Sequence, residues 1–425
     1  MDPRIRQSLR HNVIANLLDG GFFGFAFGFA SIVTILPLFV STMTDSALLI
    51  GLIPAIHMVG WQFPQLLTAN RVSRQKRYKP MVLLATIHER LPFLGLALIA
   101  WFLPTLGAKI ALPLTFVMLI WQGLGGGFTA TAWQSMIGKI IPSDRRGTFY
   151  GAQSSAANLL SSLGALLAGI ILDKLGSPQD FSLLFLLASL AMAISFFSLA
   201  QTREPENLPV DPSIEQPDFW TGVRIILRRD GNFRWFLVAR MLSQLAIMGF
   251  AFYTVYAVGQ GISDFGVGVM TAIYLASQIV FNPMVGWIGD HGSHRALIEI
   301  GVASAAASGL LAWWAPNPTW FYLVFVLAGL ASVAIWTSGL AMILEFGTER
   351  EKPAYIGLGN TLVAPATILA PFLGGWLADH AGYRAAFLAS VAGGVVSVIV
   401  LQLFVRDPQK IPASQSKPVK ETFGD

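Results

Sequence analysis

AGIILDKLG, from Ala168 to Gly176, and GGWLADHAG, from Gly374 to Gly382, close two long apolar runs whose aspartates, Asp173 and Asp379, stand 206 residues apart. Gly151 and Gly357 keep that offset, as do Gly123 and Gly329. The exits of the two halves also agree, TREP at Thr202 and VRDP at Val405. Nearer the start of each half a second offset, 219, pairs Asp45 with Asp264 and Pro64 with Pro283. The chain therefore reads as two copies of one unit.

Composition says what kind of unit. The 425 residues are 54% hydrophobic and 12% charged, with a mean hydropathy of +0.61. A soluble domain carries about twice that charge density. Half of it over this length excludes an ordinary soluble enzyme, a nucleic-acid binder and a disordered chain. The net charge of +5 does not restore a nucleic-acid partner, because most basic residues fall in short breaks between apolar runs, where they act as topology signals. With no cysteine, disulfides, thiolate metal sites and cysteine nucleophiles are excluded. The first apolar run is too long for a signal-peptide core and lacks a small-residue cleavage site, so it reads as a retained span.

Twelve runs approach the ~20 apolar residues that cross a bilayer as helix. They lie at 13–40, 47–69, 80–103, 110–136, 148–172 and 181–199, then at 233–258, 265–289, 295–314, 319–344, 353–378 and 385–405. The expected fold is all-α: twelve transmembrane helices in two six-helix pseudo-repeated bundles. With the N-terminus inside, the inner segments hold 23 Lys and Arg and the outer loops hold 3 (Lys109, Lys174, Arg384), while Arg90 and Arg240 fall within spans. This asymmetry places both termini in the cytoplasm of a multi-pass plasma (cell) membrane protein. Trp101, Trp313, Trp314, Trp320 and Trp376 fall at the expected outer ends, as an aromatic belt would.

The resulting division is 1–200 for the first bundle, 201–232 for a linker, 233–405 for the second bundle and 406–425 for a tail. The linker begins with proline and acid, Pro205, Pro209, Pro212 and Pro217 among Glu204, Glu206, Asp211 and Glu215, which cannot build a core. It ends with Phe219, Trp220, Val223, Ile226 and Leu227 on one helical face and Arg224, Arg228 and Arg229 on the other. That pattern fits a short interfacial helix or an ordinary connector.

At the exit of the eighth run the chain reads GWIGDHGSHR, Gly286 to Arg295. Glycines let two helices approach closely, and an acid followed by basic residues can form a charge network at a helix end. The stretch resembles the G-x-L-A-D-R-x-G-R-R loop of the major facilitator superfamily, keeping Gly286, Asp290, Gly292 and Arg295 but placing His291 and His294 where Arg or Lys is usual. The first-half counterpart, QLLTANRVSRQKRYKP from Gln65 to Pro80, departs further, with Asn70 in place of the acid. PSDRRGTFYG, Pro142 to Gly151, resembles the loop between the fourth and fifth spans. The fourth span has the family's glycine series, Gly123 to Gly127, but Trp121 and Gln122 precede it rather than an arginine. The antiporter element of the fifth span is SLGALLAGI, with Ala165 in place of proline; APFLGG, Ala370 to Gly375, is nearer that pattern but lies in the eleventh. The resemblance implies a secondary transporter with its site between the halves near the bilayer midplane. Its motifs do not by themselves secure proton-driven antiport.

Charges inside spans are costly and mark function or paired structural roles. Asp19 and Arg240 sit at nearly matching depths of the first and seventh spans, so a pair between them near the cytoplasmic mouth is one expectation; the other is local pairing, as of Asp19 with Arg90. Asp19 and Glu89 are the proton-coupling candidates, although His88, Glu89 and Arg90 in the third span also read as a structural cluster. Glu299 is expected to snorkel and Glu345 to join an inner charge network. Polar stripes should turn away from lipid. They are His57 and Trp61; Gln122, Thr129 and Trp133; Asn158; Gln244 with Arg240; Tyr274, Gln278 and Asn282; and Trp336 with Asn360. Singly, each reads as a helix-to-helix hydrogen bond; together they read as the path of a small amphipathic molecule.

The leading expectation is a secondary active transporter working by alternating access, proton coupling open, leaning to efflux of an amphipathic compound and functional as a monomer. A lipid or lipid-linked flippase, an integral membrane enzyme and a receptor are the alternatives. Against an enzyme, there is no H-E-x-x-H, no G-x-S-x-G and no phosphate-binding loop, so no catalytic residue, metal or cofactor is expected.

Overall fold

The computed structural model describes residues 3–32, 34–44, 47–206, 219–262, 264–348 and 351–410, which form helices and no strand. Most of the proline-rich linker, Asp45 and the end of the tail lie outside the described residues. The first half comprises α1 (Pro3–Phe29), α2 (Ile35–Ser41), α3 (Ala47–Gln62), α4 (Gln65–Ser73), α5 (Lys79–Leu106), α6 (Ala108–Ile140), α7 (Arg146–Lys174) and α8 (Gln179–Ala200). After α9 (Phe219–Arg229), the second half comprises α10 (Gly231–Ile247), α11 (Phe250–Gly259), α12 (Asp264–His291), α13 (His294–Trp314), α14 (Phe321–Ile343), α15 (Lys352–Thr361), α16 (Ala364–Ala381) and α17 (Tyr383–Phe404).

Eleven helical segments among the described residues are long and apolar enough to cross a membrane. The twelfth crossing is α3 with α4, of 16 and 9 residues, which separate at Phe63 and Pro64. Neither piece spans a bilayer alone, but in sequence they continue one another. Pro64 explains the interruption, since it has no N–H to continue the ladder and its ring crowds the preceding turn. The first crossing differs from the single run expected at 13–40: it starts ten residues earlier, stops at Phe29 and resumes at Ile35. Pro37 is tolerated in the first turn of α2 but not in a helix continuing from α1. At the connector, α9 buries Val223 and Ile226, and Arg229 pairs with Glu351 at 2.9 Å.

Packing divides the molecule unequally. The face where the chain enters α1 and leaves α17, here the basic face, has one apolar core drawn from both halves, in which Met136, Ile140 and Tyr150 join Phe233, Ile343, Tyr355 and Leu358. Toward the opposite face each half keeps its own core: Phe29, Phe39, Phe93 and Phe185 in the first, Tyr253, Phe321, Val324 and Phe387 in the second. Among the described residues the halves meet chiefly through α7 with α12 and α4 with α15.

The first of these contacts depends on missing side chains. A Cβ on Gly286 of α12 would overlap the carbonyl of Gly147 on α7, and one on Gly147 would lie 2.6 Å from the Gly286 carbonyl. Overpacking a fixed contact costs about 1–3 kcal/mol. Gly286→Leu should therefore lower the thermal unfolding temperature of the purified chain by several degrees. Gly169→Leu, where a Cβ meets nothing within 4 Å, should leave it unchanged.

Candidate functional site

The halves close on the basic face through a layer of amides and hydroxyls. The Leu66 N–H donates to Thr361 Oγ1 at 3.1 Å, and that hydroxyl donates to the Gln62 carbonyl at 3.0 Å. Asn360 Nδ2 donates to Gln65 Oε1 at 2.7 Å, with Gln134 Oε1 at 3.4 Å. Gln62 Nε2 donates to Thr367 Oγ1 at 3.3 Å, which faces Gln244 Oε1 at 3.4 Å. Gly357 lets α15 lie directly on α4, because a Cβ there would sit 2.9 Å from the Leu66 Cα. Neutral bonds of this kind contribute about 1 kcal/mol each, so the closure is a sum of weak bonds that can be undone together.

Below this layer Asp290, at the end of α12, accepts from the backbone N–H groups of Gly147 at 2.7 Å and Thr148 at 2.6 Å. These are orphan donors at the start of α7, where a carboxylate also meets the positive end of the helix dipole. Of the loop motif, Gly286 and Asp290 thus join the two halves. Arg295 instead bonds Glu299 at 2.8 Å and the Gln402 carbonyl at 3.2 Å, both in the second half, and a Cβ on Gly292, just past α12, would lie 2.9 Å from the Ile288 carbonyl.

Several expected path residues come together. Trp61 and Trp336 meet across the halves with ring centroids 5.3 Å apart. Asn158 Nδ2 donates to Gln278 Oε1 at 3.2 Å, again across the halves. His57 Nδ1 lies 2.9 Å from Gln122 Oε1. Other members are absorbed within one half. Thr129 donates to the Gly125 carbonyl, Trp133 packs on Tyr150, Tyr274 bonds Ser332, and Asn282 accepts from Thr337 at 2.9 Å.

The Asp19–Arg240 pair does not form. Arg90 Nη2 donates to Asp19 Oδ1 at 2.8 Å and Ser195 Oγ donates to the same oxygen at 2.6 Å, so the local alternative is the one present. Glu89 Oε2 lies 3.6 Å from Arg90 Nη1 and accepts from Thr86 Oγ1 at 3.4 Å. Arg240 Nη1 donates to the Gly359 carbonyl at 2.8 Å. The reason is distance within the fold: Asp19 faces α5 and α8 inside the first bundle, whereas Arg240 faces α15 and α14.

Sequence reasoning missed Gln62, Gln65, Gln134, Thr361 and Thr367. The first two flank the Pro64 break, a signal that was available; the others had none. It also left His294 without a role. This side chain is buried, with Nε2 at 3.6 Å from Asp290 Oδ1 and 3.4 Å from Glu345 Oε1, so one imidazole stands between a carboxylate that caps α7 and one that follows α14.

The arrangement is a two-halved bundle with a polar seam, closed at one end. A family model described as Major Facilitator Superfamily matches residues 80–263 and 254–423. The chain belongs to the Major Facilitator Superfamily. It is 25% identical over 142 residues to the MFS thioclapurine efflux transporter of Claviceps purpurea (strain 20.1), covering 33% of this chain and 26% of that protein. It is 24% identical over 155 residues to Multidrug resistance protein 1 of Bacillus subtilis (strain 168), covering 36% and 39%. The chain thus spans well under half the length of these curated relatives. In fold it is similar to FucP, the fucose:proton symporter of E. coli, in a structure described as the outward conformation, with a TM-score of 0.73 and 14% identity over 93% of this chain and 99% of that one.

Burial pushes the Glu345 carboxyl from its usual 4.5 up to about 7; Asp407 pushes the same way, while His294, a hydrogen bond from Gln409 and Arg146 oppose it. A carboxyl raised on folding favours the folded chain in its protonated form. That contribution is complete below pH 4.5 and is lost as pH rises through about 7. The unfolding temperature should therefore fall across this window, and Glu345→Gln should remove up to about 3 kcal/mol of the pH dependence. A variant as pH-dependent as the parent would contradict this assignment.

Proposed function

We propose that the chain is a secondary active transporter of a small organic solute, working by alternating access as a monomer in the plasma membrane, with both termini cytoplasmic. The observation that carries the reading is the unequal division of cores: one shared on the basic face, two separate ones opposite. Two rigid bodies joined at one end by weak bonds can rock to join at the other, and a solute between them then changes sides. The excess of Lys and Arg assigns the basic face to the cytoplasm, so this arrangement opens outward. The named activities of the fungal and Bacillus relatives support efflux of an amphipathic compound.

The chain has no native cysteine, which makes the closure testable. Leu66→Cys with Thr361→Cys, placed where the Leu66 N–H meets the Thr361 hydroxyl, should cross-link under oxidant and stop solute movement in proteoliposomes, with recovery on reduction. Movement that continues at full rate while the link is complete would rule out rocking at this gate.

Proton coupling is assigned to Glu89. Asp19, Glu89 and Arg90 place two carboxylates against one guanidinium inside the first bundle, so the cluster is electrically closed when it holds one proton. Asp19 is held by two hydrogen bonds from within. Glu89 Oε1 instead points toward Gly126 and Trp61: a Cβ on that glycine would lie 2.8 Å from it and 3.3 Å from the Trp61 ring. Glu89→Gln should abolish movement driven by a proton gradient but keep solute exchange at equilibrium. Unaltered gradient-driven movement would remove Glu89 from the coupling path.

A further inference from the structure

Arg240 is a cation without an anion. It lies nine residues into α10, roughly 14 Å along the helix axis. Nη1 donates to the Gly359 carbonyl at 2.8 Å, with Asn360 Oδ1 at 3.5 Å. Among the described residues no carboxylate lies within salt-bridge distance, and Nε and Nη2 have no hydrogen-bond partner. Neither nitrogen is among the sealed unsatisfied polar atoms of the interior, and the residue is partly buried, so neither is closed off from a ligand. Among the described residues the second half supplies no mid-span acid, since Asp264, Asp290, Glu299, Glu345, Glu351 and Asp379 all fall near helix ends. Asp19 is already neutralised by Arg90.

A guanidinium at this depth is expensive unless something negative answers it. Its surroundings show what that something would carry. The guanidinium lies against Gly339 of α14, with Nε and Nη2 3.9 Å from where a Cβ would be. Trp336 precedes Gly339 by three residues, on the same face of α14 and one turn nearer the open end. It is 43% exposed and packs on Trp61 of the other half. Phe236 lies under the guanidinium at 5.9 Å. An anchoring fork, with an aromatic pair one turn above it, suits a ligand with an oxyanion at one end and a flat apolar body at the other.

We propose that Arg240 binds the carboxylate of an aromatic organic acid through Nε and Nη2, the acid's ring system resting against Trp61 and Trp336. The proposal rests on the seam being the solute's site, and it names the class of solute. The pairing of a planar fork with a carboxylate gives two parallel charge-assisted bonds, which a neutral amide of the same shape cannot match.

The test is calorimetric titration of the detergent-purified full chain with 4-biphenylcarboxylate and with 4-biphenylcarboxamide. The acid should bind roughly tenfold to a hundredfold more tightly than the amide. Arg240→Gln should erase that preference by weakening the acid alone, and Arg240→Lys should keep part of it. Thermal unfolding of each variant reports whether it is folded, and the acid-to-amide ratio of the unaltered chain needs no variant. Equal affinities, no saturable binding of the acid, or a preference that persists in a folded Arg240→Gln would each overturn the proposal. Transport is read separately in proteoliposomes. Acid that binds with preference but is never carried contradicts the transporter reading and leaves the anion site standing. Carriage of neutral solutes with no acid preference does the reverse.

Discussion

Hydrocarbon offers a polar group no partner, and that scarcity organises the whole molecule. Backbone groups satisfy themselves by forming helices, so the chain is helical wherever it crosses. Side chains that hydrogen-bond must then find one another, and the only surface two bundles can hide from lipid is the one between them or their own interiors. The polar residues sort accordingly. Asp19, Glu89, Arg90 and Ser195 close on themselves within the first bundle, while Gln62, Gln65, Asn360, Thr361 and Thr367 meet across the boundary. A boundary made of neutral amides and hydroxyls is cohesive but not committed. It lies beside the apolar core that the halves share on the basic face; were these polar groups ionic instead, breaking them would strand buried charges.

The glycines complete this logic. Amide-to-amide contact needs backbones close together, and α7 reaches α12, and α4 reaches α15, only because Gly147, Gly286 and Gly357 leave room. The carboxylate of Asp290 then reaches two N–H groups of a helix in the other half, with His294 Nε2 3.6 Å from one of its oxygens. This accounts for how the loop motif works here although His291 and His294 replace its usual cations: the helix end itself supplies the positive charge. The His294 ring occupies the space left over, between Asp290 and Glu345.

The helical fold class was legible in the sequence, because hydropathy reports on the bilayer, which acts on every residue alike, and the 206-residue offset reports on the repeat. The candidate site was legible only in part. Periodicity says that Thr129, Asn282 and Tyr274 turn inward, but it cannot separate a boundary between bundles from a contact within one, and these three bond inside their own half. Asp19 shows the same limit. Matching depth in two repeats suggested Arg240 as its partner, yet depth fixes only one coordinate; the rotation of α1 about its axis, set by packing on α7 and α8, turned Asp19 to Arg90 instead. Trp61 and Trp336, by contrast, meet across the boundary.

Among the described residues four crossings are broken: α1 from α2, α3 from α4, α10 from α11, and α15 from α16. In the repeat these are the first and seventh, and the two whose lower pieces, α4 and α15, form the closure. The crossings α5, α8, α13 and α17, which pack within their own half, run unbroken through 28, 22, 21 and 22 residues. A break in a helix costs hydrogen bonds that lipid cannot replace, so breaks persist only where neighbouring protein or a wet cavity answers the freed groups. Of the broken crossings, α4 and α15 meet each other across the boundary while α1 and α10 pack within their own halves, and each broken helix can bend separately above and below its break. The closure on the basic face can then loosen without the upper pieces α3 and α16 moving by the same amount.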